Sequence, residues 1–81
     1  MLTVQDMDNL RHMIGVSTQC PRGYRNHFVA GGDDVASMER LREAGLVVKN
    51  ERIHPQLTGG DPCYHATELG ARFLGLARLP R

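Results

Sequence analysis

A helix stop signal near the middle of the chain constrains the fold more than any other feature. Gly45 follows a stretch with helical spacing of apolar residues, and a strand-like run begins directly after it at Leu46. A glycine just past a helix favours the left-handed conformation that closes the last turn, and Leu41 and Leu46 then occupy the two positions that touch in a Schellman motif. The sequence therefore predicts a helix that reverses sharply into a strand.

The helix before this stop has a candidate start as well as an end. Asp33 or Asp34 can cap its first turn, because a carboxylate at that position accepts a hydrogen bond from a free backbone N–H. Val35, Met38 and Leu41 then form a narrow apolar stripe at helical spacing. We expect this middle helix to place that stripe against a core.

The residues after the stop predict a β-hairpin. A first strand is expected over residues 46 to about 53, and a short return strand over residues 63 to 66. Between them, residues 55–62 combine prolines with a Gly-Gly pair, which is typical of a turn.

A last helix is predicted to follow the hairpin. Thr67 can cap it, and Leu69, Phe73 and Leu76 recur at helical spacing as its apolar stripe.

The N-terminal region begins with a clear helix and continues with a segment that is open to two interpretations. Thr3 and Asp6 have the spacing of a capping box at the start of a helix over residues 3–14, and Gly15 ends it. Residues 15–32 are broken by glycine and proline. Alternation over residues 24–30 favours a short strand beside the hairpin, and a short second helix is the alternative.

Length and composition limit the classes of protein that need to be considered. A chain of 81 residues makes one domain at most, with 41% hydrophobic and 23% charged residues, which is ordinary for a globular protein. No apolar run is long enough to span a membrane, and the first residues lack the basic-then-apolar pattern of a secretion signal. We expect a cytoplasmic protein with reduced Cys20 and Cys63 and no membrane contact.

Charge is spread without a strongly basic block. The net charge is +1, and residues 28–61 carry four basic against six acidic side chains. Proteins that bind nucleic acid usually present a basic face, because affinity comes largely from neutralised phosphates. The sequence shows only weak signs of such a basic face.

The order of elements resembles winged-helix domains such as those of multiple-antibiotic-resistance-type regulators. The matching segments are Glu43-Ala44-Gly45-Leu46-Val47 and Ala66-Thr67-Glu68-Leu69-Gly70. The resemblance covers roughly residues 33 to 77. It implies an α+β fold: a single winged-helix-like domain over residues 1–81, with an N-terminal helix, a short strand in one interpretation, a middle helix, a hairpin wing and a C-terminal helix.

The whole chain also looks like short phage or prophage proteins, most of which have no assigned function. The segments that carry this likeness are Leu10-Arg11-His12-Met13-Ile14-Gly15, Tyr24-Arg25-Asn26-His27-Phe28 and Gly45-Leu46-Val47, together with Tyr64, Thr67 and Gly70. The likeness implies a phage origin and a bacterial host cytoplasm.

Two functions of different classes follow from these resemblances. The first is a DNA-binding regulator, acting as a homodimer, in which the middle helix enters the major groove and the wing contacts the backbone of double-stranded DNA. Its candidate DNA-binding residues are Ser37, Arg40, Arg42, Lys49, Arg52 and His54. The acidic residues of the same helix oppose this function, and mixed charges on the wing are more typical of a solvated surface than of contact with phosphates.

The second function is a protein–protein interaction module, such as a phage accessory protein or an inhibitor of a host factor, that binds no DNA. Its partner is a host or phage protein, bound through the acidic middle helix and a polar cluster. That cluster comprises Arg22, Tyr24, Arg25, Asn26 and His27. A polar edge strand, whose cations block unwanted strand pairing, is the structural alternative for the cluster.

Catalysis and cofactor binding find no support in the residue pattern. The histidines and cysteines lack the spacing that brings two metal ligands onto one turn, and neither Gly-Gly pair has the context of a phosphate-binding loop. We expect no enzyme activity, no metal and no cofactor. Tyr64 and Phe28 are expected to pack in the core, because the chain has only four aromatic residues to fill it.

Overall fold

The computed structural model describes residues 2–51 and 59–80. These residues form three helices and three strands in the order α1 (Val4–Ile14), β1 (Phe28–Val29), α2 (Asp34–Glu43), β2 (Val47–Lys49), β3 (Cys63–Ala66) and α3 (Glu68–Phe73). β3 lies in the centre of one antiparallel sheet with the order β1-β3-β2. The α+β class that the sequence predicts is confirmed.

Helix α1 begins and ends as its sequence predicts. The Thr3 hydroxyl accepts a hydrogen bond from the Asp6 backbone N–H at 3.1 Å, and the Asp6 carboxylate accepts one from the Thr3 N–H at 2.9 Å. This reciprocal arrangement is a complete capping box. Gly15 ends the helix in the left-handed conformation, with a φ of 78°.

Residues 15–32 contain no helix, and the strand interpretation is correct for only two of them. The backbone N–H groups of Tyr24 and Arg25 both donate to the carbonyl of Ile14, at 3.0 and 3.1 Å, so this segment is held against the end of α1. Only Phe28 and Val29 pair with β3 as a strand. The predicted strand over residues 24–30 is therefore too long.

A side chain adds one further pair of hydrogen bonds to β3 beyond the short strand β1. The Asn26 carboxamide donates to the Ala66 carbonyl at 3.1 Å and accepts from the Ala66 N–H at 2.6 Å. It makes the pair of bonds that a strand residue would make with its backbone, and β3 is therefore paired along this side beyond the reach of β1.

The end of α2 is a complete Schellman motif. Gly45 has a φ of 80°, its N–H donates to the Arg42 carbonyl at 3.0 Å, and the Leu46 N–H donates to the Leu41 carbonyl at 3.0 Å. Leu41 and Leu46 are both buried in the core. The predicted reversal from helix into strand is confirmed.

The predicted carboxylate cap at the start of α2 is wrong. Asp33 occupies the N-cap position but has helical backbone angles, and its side chain makes no capping hydrogen bond. Asp34 is already the first residue of the helix. The first turn is closed by the backbone, because the N–H groups of Asp34 and Val35 donate to the carbonyls of Gly31 and Gly32.

We expect Gly45→Ala to lower the free energy of unfolding by about 1 kcal/mol, because an L side chain is strained at positive φ. An added Cβ would have room, since the nearest atom is Leu69 Cδ2 at 3.7 Å. The cost is therefore conformational, and Gly45→Asn should recover part of it. Urea denaturation measures both variants, and a neutral or stabilising Gly45→Ala would contradict the role of this glycine.

The hairpin pairs Val47 with Ala66 and Val48 with His65. The return strand has the predicted bounds. The first strand ends at Lys49, and the Asn50 N–H closes the ladder by donating to the Cys63 carbonyl at 2.7 Å. Asn50 and Glu51 are not part of the strand, so the predicted first strand is too long at its end. Residues 52 and 53 of that prediction, and residues 55–58 of the predicted turn, lie outside the described residues.

Helix α3 has the predicted cap but buries a different face. The Thr67 hydroxyl accepts from the Gly70 N–H at 3.1 Å. Leu69 and Phe73 of the predicted stripe are 48% and 56% exposed, whereas Gly70 and Ala71 are buried. Gly70 lies directly against the Leu46 carbonyl, so the side of α3 without bulky side chains makes the closest approach. Leu76 of the stripe is partly buried against the core, as expected.

The core lies between the helices and the inner face of the sheet. Its buried members are Leu10, Met13, Ile14, Ala30, Met38, Leu41, Leu46, Val47, Tyr64, Ala66 and Ala71. Tyr64 is almost completely buried and Phe28 packs against the cluster, as predicted for both aromatics. No helix in the part of the chain that the structure describes has the length and apolar character to cross a membrane.

Candidate functional site

A buried carboxylate joins α1 to α2. Asp6 of α1 is fully buried. The Arg40 guanidinium donates to it twice, from Nε to Oδ2 at 2.8 Å and from Nη2 to Oδ1 at 2.7 Å, and the Ser37 hydroxyl donates to Oδ1 at 2.7 Å. Planar two-point pairing of this kind is the strongest arrangement open to an arginine and a carboxylate.

The same network satisfies every group that it buries. Asn9 donates from Nδ2 to the Ser37 hydroxyl oxygen at 2.9 Å, and Asp6 also holds the Thr3 N–H of the capping box. Every buried side-chain nitrogen and oxygen in the described residues has a hydrogen-bond partner. Burial of this polar cluster therefore leaves no unpaired group to destabilise the fold.

The network sets the ionisation of Asp6. The hydrogen bonds from Arg40 hold the pKa of Asp6 well below its ordinary value of 3.8, helped by Ser37 and the Thr3 N–H and opposed by burial. The hydrogen bonds to Asp6 correspondingly raise the pKa of Arg40. Both groups are charged at neutral pH, and their charges neutralise each other within the fold.

This arrangement places two of the predicted DNA-binding residues in structural roles. Ser37 is buried, and its hydroxyl is directed at Asp6. The Arg40 side chain is 41% exposed, but its guanidinium is held by the carboxylate beneath it. The Ser37 hydroxyl is therefore directed away from an external base, and Asp6 offsets the charge of Arg40.

The rest of the α2 surface is mainly acidic. Arg42 is exposed and pairs with Glu39 at 3.2 Å, while Asp33 and Glu43 are exposed with no partner in the described part of the chain. Glu39 also accepts a hydrogen bond from the Tyr64 hydroxyl at 2.9 Å. Burial, followed by this contact with Glu39, raises the pKa of Tyr64 above 10.0.

The predicted wing contributes one described candidate. Lys49 is exposed at the end of β2. Arg52 and His54 lie outside the described residues, so the structure places only Lys49 and Arg42 of the predicted DNA-binding set on the surface without a buried partner.

Arg25 and Asn26 of the predicted partner-binding cluster are engaged within the fold. Asn26 pairs with the backbone of Ala66. Arg25 donates to the His12 carbonyl from Nε at 3.0 Å and from Nη2 at 2.8 Å, and its guanidinium lies 5.2 Å from the centre of the Tyr24 ring. These contacts fix the segment against the end of α1.

Arg22, Tyr24 and His27 complete the cluster and remain accessible. Tyr24 is 63% exposed although one edge of its ring covers Gly15. Arg22 and His27 are both exposed. Three residues of the cluster are therefore exposed, and Arg25 and Asn26 are partly buried.

Residues 2–51 and 59–80 do not bring together a set of side chains that could bind a metal ion. No group of three or more histidine, cysteine, aspartate or glutamate side chains converges there. Cys20 is partly exposed and Cys63 is buried, and both are free thiols.

A comparison of the chain with family models, curated proteins and solved structures finds no match.

Proposed function

We propose that the protein is a winged-helix-like interaction module that binds another protein through the acidic surface of α2 and does not read DNA. One observation carries the proposal. Asp6 neutralises Arg40 from within the fold, and Ser37 is buried, so the outward face of α2 retains mainly carboxylates.

The arrangement of the elements supports an interaction module over a standard DNA reader. A middle helix followed by a hairpin, with a short strand on the far side of the return strand, supports the proposed winged-helix-like arrangement. A helix-turn-helix additionally needs a supporting helix before the recognition helix. Residues 15–32, which would supply it, contain turns and β1 only.

Electrostatics point to a partner with basic groups. Duplex DNA presents closely spaced phosphates, and the carboxylates of Asp33 and Glu43, which have no partner in the described residues, would add repulsion where a reader needs attraction. A protein surface with lysine or arginine side chains complements the same face, and such complementarity speeds association and selects the partner. The exposed, apolar Ala36 lies on this helix between the charged positions.

Titrating the protein into a labelled DNA duplex of random sequence at low salt tests whether it binds DNA. We expect no binding, because no described basic stripe accompanies α2. Binding that weakens steeply with salt, and that is lost in the Arg42→Ala and Lys49→Ala variants, would overturn the proposal in favour of a DNA-binding regulator.

Site-specific photo-crosslinking tests the protein partner. A photoreactive residue at Ala36 should crosslink to a protein of the host cell, and the crosslink should disappear when Asp33 and Glu43 are both changed to lysine. Val4, which is 79% exposed on α1, provides the matched control position. Equal crosslinking from Ala36 and Val4, or crosslinking that survives the charge reversal, would contradict a binding surface on α2.

A further inference from the structure

An open groove lies away from the acidic face, between the loop at residues 21–23 and the C-terminal segment at residues 75–80. Its volume is about 650 Å³. A cleft of this size is within the range that holds a ligand or a few residues of a peptide.

Two arginines that line this groove make no ion pair in the part of the chain that the structure describes. Arg22 and Arg78 are both exposed, and neither makes an ion pair or a hydrogen bond within the described residues. None of the lining residues is acidic. The Glu68 carboxylate accepts a hydrogen bond from the N–H of the lining residue Leu79 at 3.3 Å. In contrast, Arg11, Arg40 and Arg42 each pair with a carboxylate.

Several of the other lining residues are apolar. Leu76 and Leu79 are partly buried against the core, which fixes their positions, and Pro21, Ala77 and Pro80 add further nonpolar surface. The groove therefore offers two guanidinium groups for carboxylates and a leucine-lined surface for an aliphatic or aromatic side chain.

We propose that this groove binds an acidic peptide segment of a partner protein in which carboxylates alternate with apolar side chains. Charge complementarity selects the occupant, because both unpaired cations of the groove attract carboxylates and no lining residue repels them. An extended segment suits a cleft that is open at the surface between two irregular stretches of chain. The inference is independent of the α2 surface, which has the opposite charge and involves other residues.

Fluorescence anisotropy with short, capped and labelled peptides tests the proposal on the intact protein. The probes are a peptide of alternating glutamate and leucine, the same peptide with lysine for glutamate, and the same peptide with serine for leucine. We expect the glutamate-leucine peptide to bind most tightly. Changing Arg22 and Arg78 together to glutamine should weaken it on the order of tenfold or more, because two charge-assisted contacts are lost.

Two further variants separate the groove from general electrostatics. Arg72→Gln removes an exposed arginine of α3 that lies outside the groove and makes no pair in the described residues, and it should leave peptide binding unchanged. Ala77→Glu places a carboxylate on an exposed position of the groove and should abolish binding. Thermal melting of each variant confirms that it is folded.

Three results would overturn the proposal. One is equal binding of the lysine and glutamate peptides, and another is equal weakening by Arg72→Gln and by the double glutamine variant. The third is self-association of the wild type, measured by sedimentation and lost in the double variant, which would show that a second copy of this chain occupies the groove. If any of these results rules out peptide binding in the groove, the proposed binding surface on α2 is unaffected, because the Ala36 crosslink tests a separate surface.

Discussion

Replacing Asp6 with alanine is expected to lower the free energy of unfolding by about 2–4 kcal/mol. The change removes the carboxylate that caps α1 and that holds Arg40 and Ser37 of α2. It also leaves the buried Ser37 hydroxyl without its acceptor. Chemical denaturation followed by circular dichroism measures the effect.

Asp8 on the same helix is the matched control. Its carboxylate pairs with Arg11 at 3.1 Å, but both side chains are at least half exposed. Exposed pairs of this kind contribute about 0.2–1 kcal/mol, so Asp8→Ala should have a small effect. Similar losses for the two variants would show that the contact between α1 and α2 does not depend on the buried carboxylate.

The Asp6 network also predicts how stability responds to acid. Because the folded-state pKa of Asp6 lies below its ordinary value of 3.8, the stabilisation is complete above that value and declines as the pH falls toward the folded-state pKa. The difference in stability between wild type and Asp6→Asn should therefore shrink below about pH 4. A difference that is constant between neutral pH and pH 3 would refute an ionised Asp6 in the folded protein.

Gly70→Ala is expected to destabilise the fold by about 2 kcal/mol or more, although alanine favours a helix over glycine by roughly 1 kcal/mol. An added Cβ would collide with the Leu46 carbonyl, and because that atom belongs to the backbone, α3 itself would have to move. The variant should have a lower melting temperature and greater exposure of hydrophobic surface.

A comparison of Gly70→Ala with Gly45→Ala distinguishes two reasons why a position needs glycine: a restrictive backbone conformation and a lack of space for a side chain. At Gly45 the space is open and the backbone conformation is restrictive, whereas Gly70 lies in a regular helix and only space is limiting. Gly70→Ser, which adds the same Cβ, should match Gly70→Ala, and Arg72→Ala on the exposed side of α3 should be nearly neutral. A stabilising Gly70→Ala would refute the close approach of α3 to Leu46.

The features that could be predicted from the sequence are those whose signals are local. Thr3 with Asp6, Gly45 with Leu46, and Thr67 each lie within a few residues of the helix end that they define, so spacing alone locates the end. These signals follow from backbone hydrogen bonds that helix termini leave free.

The features that the sequence did not predict depend on contacts between distant residues. The apolar spacing of α3 gave the wrong buried face, because the side with Gly70 can approach Leu46 more closely than the side with Leu69 and Phe73. Asp6 was identified only as a cap, since its partner Arg40 lies 34 positions away. Ser37 and Arg40 do share a helix face, but that spacing does not reveal a carboxylate beneath them.

The Asn26 carboxamide has a consequence for how the protein behaves at high concentration. By bonding to both backbone groups of Ala66, it fills a position on β3 that the two-residue strand β1 would otherwise leave open. An open position there would present a free donor and acceptor to the strand of another molecule, which is how sheets grow into aggregates. This one side chain therefore closes that pairing position of β3 to a strand of another molecule.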